Sequence, residues 1–159
     1  MIDISVLTGE RLTYISRAAD MLVLSFGDDI CRNYRGEWLS RYALHCQCAW
    51  RITDGHGKIV LARVDIFSPP EGEDYTLDFD WDVRGNNAFD RKSVEILSGG
   101  EVTVTAARLV NGCDIKLELS NGLRFESFAD SSIEEHWRLV VRDKDNPVQL
   151  VAEPTGIHE

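Results

Sequence analysis

The amino-acid sequence predicts an α+β fold in which antiparallel strands dominate, as a strongly bent sheet or a partly open barrel, with one principal helix at about residues 87–98. Three observations support this prediction: apolar and polar residues alternate along several short segments, turn residues separate these segments, and only one segment has clear helical periodicity. No linker rich in Pro, Gly and Ser interrupts the chain, so residues 1–159 are predicted to form a single domain.

Four segments near the ends of the chain are predicted to be strands. LTYIS and MLVLSF lie near the N-terminus, and HWRLVVR and VQLVAE lie near the C-terminus. Their β-branched, aromatic and other apolar residues favour extended structure. The segment SRAADML, at residues 16–22, is also compatible with one or two helical turns.

A hairpin is predicted in the first half of the chain. LHCQCAWRI (44–52) and KIVLARVDIF (58–67) flank TDGHG, a stretch of turn-forming residues. By strand alternation, one face of the first segment carries five apolar side chains: Leu44, Cys46, Cys48, Trp50 and Ile52.

The principal helix is predicted in NAFDRKSVEILS, residues 87–98. Phe89, Val94 and Leu97 would form a short apolar stripe along one side of it. The pair Gly99–Gly100 would then end the helix.

Residues 102–128 are predicted to form a three-stranded meander. A two-residue loop at Asn111–Gly112 sets apolar side chains opposite one another across the first pair of strands. This register also places Arg108 opposite Ile115 on the apolar face, so Arg108 is expected at the sheet margin, where its charged end reaches water.

The second turn of the meander is predicted to contain three residues, Ser120–Gly122. This length pairs Leu119 with Leu123 and Leu117 with Phe125, whereas a two-residue turn would set buried side chains opposite charged ones. The loop needs one residue with positive φ, and glycine at its third position supplies it.

The negative charge of the protein is concentrated in the second part of the chain. Residues 1–70 carry 8 Lys and Arg against 8 Asp and Glu, while residues 71–159 carry 9 against 19, within a net charge of -10. Residues 71–82, EGEDYTLDFDWD, contain six acidic residues and no basic one. Such a surface repels nucleic acid and anionic lipid and attracts basic proteins, so neither nucleic acid nor a membrane is expected as a partner.

The sequence contains no apolar run of membrane-spanning length. Uninterrupted apolar runs such as IVLA at 59–62 are far shorter than the roughly 20 residues that a membrane helix needs. The N-terminal MIDISVLTGE has no basic region followed by a long apolar one, so the expected location is cytoplasmic. In that reducing compartment, Cys31, Cys46, Cys48 and Cys113 are expected to be buried thiols.

The aspartates of the acidic stretch do not complete a calcium loop. Asp78, Asp80 and Asp82 match the first, third and fifth positions of an EF-hand. Val83 and Phe89, however, stand where the motif requires glycine and glutamate.

The potential transition-metal ligands are His45, Cys46, Cys48, His56 and His136. These lack the paired spacing of a zinc site, so no metal and no cofactor is predicted.

No catalytic motif is present in the sequence. It lacks Gly-x-Ser-x-Gly, a phosphate-binding loop and Gly-x-Gly-x-x-Gly after a strand. Water would screen the carboxylates of the acidic stretch, which disfavours a general acid and base pair there. In EEHWRL, a structural Trp137 that anchors the last strand is favoured over a catalytic His136.

Several blocks of the sequence resemble a family of small bacterial proteins of unknown function. The blocks are RAADML followed by FG, LHCQCAWRI, DFDWDVRGNNAFD and FADSSIEEHWRL, and they contain the patterns LHxQCxWRI, WDxxGxNxFD and EHWRL. The similarity covers residues 7–142, and it implies a bacterial single-domain protein without assigning functional residues. The size and style of the sequence also resemble immunity proteins of bacterial toxin systems.

These observations favour a non-enzymatic acidic binding protein, such as an immunity-type inhibitor that covers a basic toxin or nuclease domain. The expected partner-binding residues are Asp74, Tyr75, Asp78, Phe79, Asp80, Trp81 and Asp82. By alternation, Leu77, Phe79 and Trp81, or their neighbours, would face inward, with the acidic side chains on the exposed edge. An alternative is a small-molecule-binding or hydrolytic domain with a pocket inside the bent sheet, lined by His45, Gln47, Trp50, Asp65 and His136. A third is that the charge keeps the protein soluble and serves no partner.

Overall fold

The computed structural model describes residues 2–143 and 146–159. In chain order the strands are β1 (Leu12–Ala18), β2 (Met21–Arg32), β3 (Trp38–Cys46), β4 (Ala49–Thr53), β5 (Ile59–Ala62), β6 (Val104–Val110), β7 (Asp114–Leu119), β8 (Arg124–Phe128), β9 (Trp137–Val141), β10 (Val148–Glu153) and β11 (Gly156–His158). The helix α1 spans Ala88–Ser98, and short 3-10 helices span Ile4–Leu7 and Arg63–Phe67.

The described strands form two antiparallel sheets. The first sheet has the order β1-β2-β3-β9-β10-β11, and the second has the order β5-β4-β8-β7-β6. The predicted α+β class with mainly antiparallel sheet and one principal helix is therefore confirmed. The described strands form two separate sheets and do not close into a barrel. One isolated bridge, between Arg11 and Thr103, links the β1 edge of the first sheet to the β6 edge of the second.

The two sheets enclose one hydrophobic core. Phe26, Leu44 and Trp137 from the first sheet belong to the same buried cluster as Ile52 and Phe125 from the second. The indole Nε1–H of Trp137 donates a hydrogen bond of 2.7 Å to the carbonyl of Cys113. Trp137 is thus a structural residue at the start of β9, as predicted.

The chain passes from one sheet to the other between β3 and β4, through Gln47 and Cys48. Both backbone N–H groups donate to the carbonyl of His136, at 2.9 and 3.1 Å, so the crossing leaves these donors satisfied. The five apolar residues predicted to share one face are all buried, although the strand that carries them is interrupted: Leu44, Cys46, Cys48, Trp50 and Ile52.

The N-terminal hairpin forms as two strands, and the helical alternative for residues 16–22 is wrong. Ala18 pairs with Met21, and Ala19 adopts a positive φ of 51° in the turn between them. Alternate residues of β2, including Leu22 and Leu24, point into the core, and this burial favours strand over helix.

The strand predicted over residues 58–67 ends early. Only Ile59–Ala62 is extended, and Arg63–Phe67 forms a 3-10 helix. The Asp65 carboxylate accepts the backbone N–H of Ala62 at 2.8 Å and so caps the start of this helix.

The predicted helix is confirmed, with bounds at Ala88–Ser98. The Asn87 side chain caps it by accepting the backbone N–H of Asp90 at 2.8 Å. Phe89 is buried and meets the Trp50 ring edge to face at 5.9 Å. Val94 departs from the predicted stripe, because it is 70% exposed.

The first turn of the meander differs from the prediction. Val110 pairs with Asp114, so the loop has three residues. A register shift between Val104 and Ala106 then compensates for the extra loop residue. Arg108 therefore pairs with Lys116 on the polar face and contacts Glu118 at 3.8 Å, instead of lying opposite Ile115.

The second turn is confirmed. Leu117 pairs with Phe125, and the N–H of Leu119 donates to the carbonyl of Leu123 at 2.9 Å. Gly122 has the expected positive φ of 84°.

Within the residues that the structure describes, no helix is long and apolar enough to cross a bilayer.

Candidate functional site

The acidic segment, residues 71–82, is an irregular loop between the second 3-10 helix and α1. Local backbone bonds shape it: the N–H of Glu73 donates to the carbonyl of Pro70 at 3.0 Å, and that of Phe79 donates to Thr76 at 3.1 Å. The Asp80 carboxylate accepts the N–H of Asp82 at 3.0 Å. The segment is therefore a folded loop with its own turns.

Aromatic side chains fix the segment to the body of the protein. Trp81 packs edge to face on Phe67, with ring centroids 4.9 Å apart, and Phe79 packs on Tyr75 at 5.6 Å. The hydroxyl of Tyr75 donates to the carbonyl of Phe67 at 3.4 Å. Phe79 and Trp81 are half-buried, so these two predicted binding residues serve mainly as supports.

Leu77 does not face inward as expected. Its side chain is fully exposed, at 106% relative accessibility, and its neighbour Tyr75 is 69% exposed. Strand alternation does not apply here because the segment is a loop. Sequence reasoning therefore missed Leu77 as a surface residue.

Arg17 of β1 anchors the far end of the segment. Its buried guanidinium donates to both carboxylate oxygens of Asp90, at 2.8 and 2.9 Å, and to Asp82 at 3.2 Å. It also donates to the carbonyls of Trp81 and Asp82, each at 3.2 Å, and to Ala19 at 3.0 Å. This fork of donors joins the first strand, the acidic segment and the start of α1.

The Arg17–Asp90 pair remains charged inside the protein. Burial alone would raise the pKa of Asp90, but hydrogen bonds from Arg17 and Gly85 and the charge of Arg17 outweigh burial and lower it. Hydrogen bonding to Asp90 in turn raises the pKa of Arg17, against the opposing effect of burial. Each partner stabilises the ionised form of the other.

Part of the negative charge of the segment is neutralised. Three of its carboxylates form ion pairs with basic side chains: Glu71 with Lys92, Glu73 with Arg91 and Asp82 with Arg17. Asp74, Asp78 and Asp80 are exposed and form no ion pair with any residue in 2–143 or 146–159. We call the surface of Asp74, Tyr75, Leu77, Asp78 and Asp80 the acidic face.

The side chains of the predicted pocket do not converge on one cavity, although the backbone of Gln47 is hydrogen-bonded to His136. Trp50 and His136 are buried, each 3% exposed, and Asp65 caps the second 3-10 helix. Gln47 lies at the sheet crossing, where its side-chain amide donates to Glu135 at 3.4 Å. His45 projects from the outer face of the first sheet into a separate cleft of about 1000 Å³.

Two of the four cysteines lie together in the core. Cys46 and Cys48 are buried with their Sγ atoms 3.6 Å apart, whereas Cys31 is exposed and Cys113 is half-buried. The hydrogen bond from Cys46 to Cys48 raises the pKa of Cys46 and lowers that of Cys48. Across the part of the chain that the structure describes, no three His, Cys, Asp or Glu side chains are arranged to hold a metal ion.

The acidic face combines exposed apolar area, an aromatic side chain and carboxylates that form no ion pair with the described residues, on an anchored loop. The cleft around His45 has a different chemistry, because apolar and basic side chains line it.

No protein-family model, curated protein or solved structure matches this chain.

Proposed function

We propose that this protein is a non-enzymatic binding protein whose acidic face docks on a basic protein, as an immunity-type inhibitor docks on a toxin or nuclease domain. One observation carries the proposal: the fully exposed Leu77 lies two residues from the exposed Tyr75, in a loop whose Asp74, Asp78 and Asp80 carboxylates form no ion pair with the described residues. A loop that only solubilises the protein has no need of an exposed leucine and tyrosine at its centre.

The apolar part of the acidic face supplies binding energy. Covering a leucine or a comparable side chain contributes about 1.5–3 kcal/mol relative to leaving it in water. Leu77 is wholly exposed, so all of its side-chain area is available to a partner. Tyr75 adds an aromatic surface, and aromatic residues are enriched among the residues that dominate binding energy at interfaces.

The carboxylates of the acidic face supply attraction and selectivity. Complementary charge speeds the encounter with a basic partner and disfavours acidic ones. Asp74, Asp78 and Asp80 can accept hydrogen bonds from Lys or Arg of the partner, since no basic side chain of the described residues pairs with them. On a nuclease, these carboxylates would occupy positions where substrate phosphates bind.

The anchoring by Arg17 lowers the entropic cost of binding. A loop that is ordered before it meets its partner loses less conformational freedom on docking than a disordered one. Arg17 fixes the end of the segment through Asp82 and Asp90, and Trp81 packs on Phe67. The acidic face is therefore presented in one arrangement.

The test is affinity capture from the native host, with the product of the neighbouring gene as the first purified candidate. The wild-type chain is expected to bind a basic protein, and a triple variant with Asp74, Asp78 and Asp80 changed to Asn should weaken that binding at least tenfold. Leu77→Ser should weaken it by a similar factor. The affinity is measured by biolayer interferometry.

A matched control removes the same charge elsewhere. Glu95, Glu134 and Glu159 are exposed and lie outside the acidic face. Changing all three to Gln should alter the affinity less than twofold. Equal losses for both triple variants, or undiminished binding by Leu77→Ser, would show that only net charge or another surface acts.

A further inference from the structure

The outer face of the first sheet, opposite the core, carries a second recessed surface. The cleft of about 1000 Å³ lies between the outward side chains of β1, β2 and β3 and one side of α1. Residues near the turn between β2 and β3, including Trp38, form another part of its wall. Its volume is at the upper end of the roughly 300–1,000 Å³ of small-molecule sites.

Apolar side chains make up much of the cleft surface. Met21 and Val23 line it from β2, and Ala43 lines it from β3. Val94 and Leu97 line it from α1. Val94 is 70% exposed, so the helix presents an apolar side chain to the cleft without using it in the core.

Arg142 supplies a positive charge to this apolar surface. It is half-buried, and its Nη1 donates to the carbonyl of Ser40 at 2.7 Å. Among residues 2–143 and 146–159, no carboxylate lies within ion-pair distance of its guanidinium. Burial lowers the pKa of Arg142, which is the direction expected of a cation that lacks a compensating anion.

The charge of the lining has the opposite sign to that of the whole protein. Arg84 and Arg142 line the cleft, and Glu37 is the acidic residue that lines it. The carboxylate of Glu37 already accepts the side-chain amide of Asn33 at 2.7 Å. The cleft is therefore a locally basic surface on a protein with a net charge of -10.

His45 adds a polar group to the lining of the same cleft. Burial lowers its pKa, as do the positive charges of Arg142 and Arg138, against the opposing effect of Glu135. The imidazole is therefore neutral at neutral pH and offers one hydrogen-bond donor and one acceptor. An anionic ligand group thus finds a guanidinium and a neutral hydrogen-bonding ring in the same cleft.

From these observations we infer that the cleft binds a small amphipathic carboxylate, with its anionic end on Arg142 and its apolar body over Val23, Met21 and Val94. Arg142 recognises the carboxylate through its fork of N–H donors. The apolar lining covers the body of the ligand, and this burial is the main driving force. The inference does not depend on the acidic face or its partner.

The test is an NMR titration of the ¹⁵N-labelled protein with octanoate, using octan-1-ol as the uncharged counterpart. Octanoate is expected to shift the amide signals of β1–β3 residues and α1 in a saturable way, and to bind at least tenfold more tightly than octan-1-ol. Arg142→Met should remove most of that difference, since it keeps an apolar stem and deletes the charge. No saturable shifts in the cleft, or equal binding of both probes, would overturn the inference.

A second variant tests the apolar part without touching a buried residue. Val94→Glu adds a charge on the exposed side of α1 and should weaken octanoate binding at least tenfold. Val64→Glu is its control, because Val64 is also an exposed valine, at 69%, and lies outside the cleft lining. Unchanged binding by Val94→Glu would overturn the inference. The inference would also be overturned if sedimentation showed a dimer that forms through the cleft and that octanoate does not dissociate.

Discussion

The acidic face comes from one run of seven residues, Asp74 to Asp80, whereas the cleft draws its lining from three strands, a helix and three loop segments. The acidic face is exposed and negative, and its basic anchor lies behind it in Arg17. The cleft is recessed and locally positive, and its lining includes the half-buried Arg142. Arg17 is buried with two carboxylates and supports the structure, while Arg142 is half-buried and forms no ion pair with the described residues.

The largest expected effect separates the roles of these two arginines. Arg17→Met should lower the free energy of unfolding by about 3–5 kcal/mol, because it leaves the Asp90 carboxylate buried without its cation. Arg142→Met should lower it by about 1 kcal/mol, since among the described residues it removes one hydrogen bond and no ion pair. Urea denaturation followed by circular dichroism measures both values. Similar losses of stability for the two variants would show that Arg17 and Arg142 do not differ in their structural roles.

A second expectation concerns acid. The pKa of Asp90 in the folded protein lies below its ordinary value of 3.8, so its contribution to stability is complete above that pH and is lost as the pH falls through the lower folded value. At neutral pH, Asp90→Asn should cost about 1.5–3 kcal/mol, the worth of hydrogen bonds to a charged group. The difference from wild type should shrink in acid. Urea midpoints measured between pH 6 and pH 2 check this.

The control for that experiment is Asp78→Asn. Asp78 is exposed and has no ion pair with the described residues, so its replacement should leave stability within about 0.5 kcal/mol at every pH. If Asp78→Asn and Asp90→Asn share one pH dependence, the buried pair does not account for the acid sensitivity.

Salt should distinguish the two surfaces more modestly. Exposed charges are screened beyond about 10 Å at 0.1 M salt and beyond about 3 Å at 1 M. Binding of a basic protein to the acidic face should therefore weaken strongly with added NaCl, mainly through a slower association rate. Octanoate affinity should change less, because apolar burial drives it. If both affinities fell equally with added salt, both ligands would be binding mainly through exposed charges.

The smallest expected effect is on folding at the acidic face itself. Leu77→Ala should change the free energy of unfolding by less than about 0.5 kcal/mol, since the side chain is fully exposed. Leu44→Ala, in the core, should cost about 2–5 kcal/mol. A large loss for Leu77→Ala would mean that the leucine packs in the folded protein and is not free for a partner.

Sequence patterns predicted those parts of the fold in which local chemistry decides the structure. Gly99 follows a helical period and marks the end of α1, and the required pairing of Leu117 with Phe125 determined the second meander turn. The first turn was mispredicted because the register shift beside Val104 leaves no sequence signal that distinguishes it from a shorter loop.

The same distinction explains the outcome at the candidate sites. The acidic stretch is contiguous, so its charge is visible in the sequence, but one of the ion pairs that neutralise part of it is with Arg17, which is distant in sequence. The cleft was not predicted as a whole, because Met21, Val94 and Arg142 meet only through tertiary structure. His45 was singled out among the pocket residues, but its expected neighbours lie elsewhere.

The short passage through Gln47 and Cys48 bears on how the molecule comes apart. Only these two residues separate β3 from β4, and the His136 carbonyl holds both of their N–H groups. This two-residue connection cannot lengthen, so neither sheet can separate and unfold while the other stays folded. Denaturation should accordingly proceed in one cooperative step, with tryptophans in both layers losing their native fluorescence together.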